Sequence, residues 1–160
     1  MTERHTVIPR TLCFIFNGDD LLMIKGSTSK EWAGHLNPPG GHIEKGEDIV
    51  RSAEREIREE TGLTPLDTRL RGVMHVTNFY GKDIMMFITS STTNTKSTTA
   101  SDEGELVWVS AKDIEHKKVL PDIKSILSAL LSTKSDRIFT GRSEYDGKSG
   151  LLRIDMHPSG

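Results

Sequence analysis

Only one cysteine, Cys13, occurs in the 160 residues, so no disulfide can form within the chain, and a scaffold held by cross-links is excluded. Cys13 lies in the apolar run "TLCFIF" and reads as a buried core thiol in a reducing compartment. Nowhere do about 18 consecutive apolar residues occur, and "MTERHTVIPR" has no apolar stretch of the kind a signal peptide needs. Neither sign of charge dominates: 21 Lys and Arg stand against 23 Asp and Glu, a formal net charge of -2, so no basic field points to nucleic acid. Internal repeats and dividing linkers are also missing. These absences leave one cytoplasmic globular domain over 1–160, with neither nucleic acid nor membrane as partner and with a monomer or homodimer as the expected state.

What is present reads as strands and helices in alternation. "TLCFIF" and "LLMIK" are apolar runs joined by "NGDD", a hairpin signal. "GSTSKEWAGHLNPP" is a long loop of the kind that carries function. In "DIVRSAEREIREET", Val50, Ala53, Ile57 and Thr61 recur at helical spacing, and Gly62 supplies a stop. "TRLRGVMHVTNFY" and "KDIMMFITSS" predict strands around a "YGKD" turn; "TTNTKSTTASDEG" predicts a loop and "ELVWVS" a further strand. "AKDIEH" reads as a short helical turn, Pro121 as the first residue of a helix "PDIKSILSALLS", and "RIFTGRSEY" with "GLLRIDM" as a terminal hairpin. The pattern implies an α/β or α+β fold with a mixed sheet.

One segment concentrates charge. "GGHIEKGEDIVRSAEREIREETGL" holds six glutamates and an aspartate between Gly40 and Leu63. At about 100° per residue Glu56, Glu59 and Glu60 fall on one helix face, where like charges repel by a few tenths of a kcal/mol per pair. Two readings offset that cost. One is a solvated face on which Arg51, Arg55 and Arg58 pair with neighbouring glutamates, Arg55 with Glu59 for instance. The other is a hard divalent cation such as Mg2+, which takes carboxylate oxygens and bridges to phosphates.

The wider spacing favours the cation. Gly41, Glu47, Arg55, Glu56, Ile57, Glu59, Glu60, Gly62 and Leu63 stand at the intervals of the complete Nudix box, and nine such coincidences arise by chance with a probability on the order of 10^-9. The chain therefore resembles the MutT/Nudix hydrolases. The resemblance implies an α/β/α sandwich whose loop-helix-loop motif holds Mg2+ or Mn2+ and cleaves a substituted diphosphate. It places Glu56, Glu59, Glu60 and the Gly40 carbonyl on the metal, Glu56 first and Glu59 second as the general base, and Glu47 with Arg55 as a bracing ion pair. A further acidic ligand is expected from "SDEGELVWVS", where Glu103 matches better and Glu105 is the alternative.

The likeness extends beyond the box to the family's oxidised purine nucleoside triphosphatase (8-oxo-dGTP diphosphatase) branch. Thr11, Lys25, Asn37 and Asp122 match substrate-contacting positions of that branch, Asn37 and Asp122 at the base. Asp122 also reads as a first-turn acid beside a helix macrodipole. Two departures stand out: Leu120 replaces a tryptophan and Ile123 a second aspartate. Hydrolysis of ADP-ribose or another nucleoside diphosphate derivative is the alternative within enzymes, and a non-catalytic nucleotide-binding regulatory domain the alternative outside them.

Overall fold

The computed structural model describes residues 3–99 and 102–158. Ala100 and Ser101 of the expected loop, with residues 1, 2, 159 and 160, lie outside them. Strand β1 (Ile8–Asn17) is buried on both faces: Leu12 and Phe14 enter one core cluster, Cys13 and Ile15 another. That is why it reads as a continuous apolar run. It turns through Gly18, whose φ of 60° suits a tight hairpin, into β2 (Asp20–Gly26), with Asn17 opposite Asp20. Burial pushes the Cys13 thiol up to about 12.

Within the expected loop lies a two-residue strand, β3 (Leu36–Asn37), paired with Ile24 and Lys25 of β2. Next, β4 (Gly40–His42) runs antiparallel to Arg10–Leu12 of β1. Helix α1 (Ile49–Thr61) buries Ser52, Ala53, Ile57 and Thr61; Asp48 caps its start and Gly62, at φ 74°, its end. The long hairpin β5 (Leu66–Phe79) and β6 (Lys82–Thr92) turns at Tyr80-Gly81, both at positive φ. Strand β6 runs parallel to β1. Strand β7 (Gly104–Ser110) pairs with β2 and is followed by a 3-10 turn, Ala111–His116.

Helix α2 (Ile123–Ser132) begins two residues later than Pro121 suggests, because Ile123 N–H bonds to Leu120 O and closes a turn before the helix proper. The terminal hairpin, β8 (Phe139–Tyr145) and β9 (Leu151–His157), adds to the sheet parallel to β5. The strand order is β3-β2-β1-β6-β5-β8-β9, with β4 on β1 and β7 on β2. Helix α1 packs over Cys13, Ile15 and Leu22, and α2 belongs to the cluster of Leu12, Phe14 and Met23. The result is an α/β/α sandwich with a mixed sheet. Among the described residues no helix is long and apolar enough to cross a membrane.

Candidate active site

A cleft of about 530 Å3 runs across β1, β3 and β4, with Glu56 and Glu60 of α1 at one part of its wall and Asp122, Ile123 and Ile126 of the α2 region at another. Its position follows from local constraints. Gly40 donates its N–H to Glu60 Oε2 at 3.2 Å, tying β4 to the helix. A Cβ on Gly41 would lie 2.5 Å from Glu56 Oε1, so only glycine lets strand and carboxylate approach this closely. Thr11, buried in β1, exchanges hydrogen bonds of 3.4 Å with the Gly41 backbone.

Arg55 organises the acidic face. Its Nε and Nη2 donate to Glu47 at 2.6 and 2.9 Å, its Nη1 to Glu56 at 3.0 Å and Glu59 at 3.1 Å, and its Nη2 also to the His42 carbonyl at 3.2 Å. The guanidinium holds the Glu47 carboxyl down at about 2, well below the usual carboxylate range. Arg55 is raised in turn, first by Glu47.

Glu60 behaves oppositely: burial, and after it the neighbouring Glu56 charge, push its carboxyl up to about 8. Two carboxylates pressed together and partly desolvated hold a proton or a cation between them. Hard oxygen donors at the edge of the cleft fit Mg2+, which needs only one or two carboxylates beside water and phosphate. Among the described residues no three acidic, His or Cys side chains form a ready cage. Arg55 engages Glu59, which is 60% exposed and outside the cleft wall, and Lys30 pairs with Glu103.

Glu103 lines the cleft, whereas Glu105 is exposed, does not line it and faces Lys25 across the β2–β7 pair. Lys25 is exposed beside Ile24 and does not line the cleft either. Asn37 does line it, with Oδ1 buried and unpartnered. Asp122 occupies the cap position of α2 yet makes no capping bond; its buried carboxyl bonds Tyr145 and is pushed by burial up to about 6. Tyr145 went unseen in the sequence because it arrives from β8, some twenty residues downstream, with no motif of its own. Trp32, half-buried, lines the cleft as well.

A family model described as NUDIX domain matches residues 7–130. The chain belongs to the Nudix family. Over 157 residues this Nudix hydrolase is 29% identical to the uncharacterized Nudix hydrolase YvcI of Bacillus subtilis (strain 168), covering 92% of this chain and 93% of that one. It superposes on the crystal structure of a MutT protein from Bacillus halodurans with a TM-score of 0.82 at 27% identity, covering 96% of this chain and 100% of that one. The Nudix domain of Shewanella oneidensis NrtR, complexed with ADP ribose, shares the fold at a TM-score of 0.67 and 13% identity, covering 78% of this chain and 86% of that one.

Proposed function

We propose that this Nudix hydrolase is a Mg2+-dependent nucleoside triphosphate pyrophosphohydrolase, with Mn2+ able to substitute, that releases a nucleoside monophosphate and pyrophosphate. Oxidised purine nucleotides such as 8-oxo-dGTP are its favoured substrates, and residues 1–160 act as one cytoplasmic domain. The observation that carries the reading is the polarity of one cleft. The Glu56–Glu60 pair stands on the α1 side, and a buried Asp122 and an unpartnered Asn37 amide oxygen line the cleft elsewhere, the groups this reading assigns to the base.

In this proposal Glu56, Glu59, Glu60, Glu103 and the Gly40 carbonyl hold the divalent ion. When bound, that ion supplies charge neutralisation at the phosphates and acidifies water. Glu56, oriented by Arg55 Nη1, accepts the proton of the water that attacks phosphorus, with Glu59 second in line. Glu47 and Arg55 keep loop and helix in register. Thr11 positions the Gly41 backbone that borders Glu56, and Lys25 contributes positive charge from outside the wall. Asn37 and Asp122 read the base edge, where a wrong base leaves buried polar groups unpaired.

Hydrolysis of ADP-ribose or a related diphosphate is the second reading. It draws on the absence of the branch's tryptophan at Leu120 and of its second aspartate at Ile123. A panel of 8-oxo-dGTP, the ordinary nucleoside triphosphates and ADP-ribose, with products resolved, separates the two. Monophosphate plus pyrophosphate is expected; AMP plus ribose 5-phosphate from ADP-ribose, with negligible triphosphate turnover, would overturn the proposal. Tight nucleotide binding without turnover would instead indicate a regulatory domain, although all the box carboxylates are in place.

A further inference from the structure

We infer that Arg10 is a specificity-determining residue of the cleft, donating from its guanidinium to a carbonyl oxygen of the base and so selecting 6-oxopurine over 6-aminopurine nucleotides. This rests on the reading that the cleft takes a nucleoside triphosphate. Arg10 lies in β1, opposite His42 of β4 and Met86 of β6, and lines the cleft. It is half-buried, its Nε is buried with no hydrogen-bond partner, and no ion pair engages it among the described residues. A buried guanidinium N–H without an acceptor is costly unless a ligand supplies one.

The other cations of the cleft differ. Lys30 is committed to Glu103, and Lys82 is exposed, so water solvates it. Side chains alternate along a strand, so Arg10 shares the face of Leu12 and Phe14, which belong to the α2-side core. Thr11, Cys13 and Ile15 take the other face, over which α1 and its glutamates pack. Arg10 therefore serves the base end and not the phosphates.

The groups available there are complementary to one base class. A 6-oxopurine offers a carbonyl acceptor at position 6 and an N–H donor at position 1. Arg10 can donate to the first, and the buried Asp122 carboxyl can accept from the second. A 6-aminopurine reverses both groups and would set donor against donor and acceptor against acceptor. Asn37 Oδ1, likewise buried and unpartnered in the cleft, can take a further base N–H.

The test compares the wild type with Arg10→Met, and with Arg10→Gln should the first variant fail to fold as judged by its melting temperature. Kinetics are measured with dGTP, dITP and dATP, and pyrophosphate serves as a competitive probe of the phosphate end. The expected result is a fall of about 10- to 100-fold in kcat/KM for dGTP and dITP, with dATP and pyrophosphate inhibition little changed. An equal loss for all three nucleotides, or weakened pyrophosphate inhibition, would overturn the assignment. If the wild type hydrolyses no triphosphate, the functional proposal fails, and calorimetric binding of GMP and AMP still decides Arg10. A preference for GMP that disappears in the variant supports it; no preference, or one that survives, sinks it.

Discussion

Arg55 makes five hydrogen bonds, to Glu47, Glu56, Glu59 and the His42 carbonyl, so one guanidinium both braces a loop and aims two carboxylates. Lysine cannot reproduce that fork. Arg55→Lys should lower kcat/KM about 100-fold, the cost of a small misplacement at a reacting centre, with little loss of helix content by circular dichroism. Glu56→Gln should lower kcat by about 10^2 to 10^4, as loss of a general base does, and a fully active variant would remove Glu56 from that role. Asp122 permits a signed prediction. Its folded value of about 6 lies above the ordinary 3.8, so the folded state binds more protons than the unfolded state between those values. Its stability contribution is therefore present below pH 4, is lost as pH rises to about 6, and is flat beyond. Asp122→Asn should gain up to about 3 kcal/mol relative to wild type between pH 4 and pH 7 in urea unfolding, while weakening substrate binding. A wild-type-minus-variant difference that does not move with pH would refute the burial account.

Two elements place the site, and each answers a different demand. Helix α1 starts at Asp48, whose Oδ2 accepts from Val50 and Arg51 N–H at 3.0 and 3.1 Å. This acid, without a role in the sequence reading, is a cap. Asp48→Ala should cost about 1 kcal/mol, read as a lower urea midpoint at unchanged m, with the remaining folded enzyme still active. Strand β4 is only three residues long, yet it presents Gly41 to Glu56. The helix, its stop and the hairpins were legible because apolar period and turn chemistry are local. Strand β3 was not, since two residues carry no period and pair only because β2 is already in place.

For the molecule as a whole, the core and the proposed metal site are separate. The two apolar clusters flank the sheet, while Glu56 and Glu60 stand at the cleft. Chelation should abolish hydrolysis while leaving a cooperative thermal transition. Saturating Mg2+ at about 100 times its dissociation constant should add roughly 2.7 kcal/mol. Because burial and then the Glu56 charge raise the Glu60 carboxyl to about 8, metal binding should release a proton, and affinity should strengthen from pH 6 to 8 and then level off. Calorimetry in buffers of different ionisation enthalpy would read the released proton; none released would contradict the pairing of Glu56 with Glu60.

The family, the helix and the Glu47–Arg55 brace were all contained in the linear order of residues, because the box is contiguous and its spacing maps directly onto one helix face. Of the solvated-face reading, the Arg55–Glu59 pair is present. Other features depended on folding. Thr11 against Gly41, Asp122 against Tyr145, Glu103 rather than Glu105 at the cleft, and Arg10 left unpartnered within it all join segments distant in sequence. Strand register and packing bring those segments together, and no local pattern encodes a contact between side chains that become neighbours only when the sheet closes.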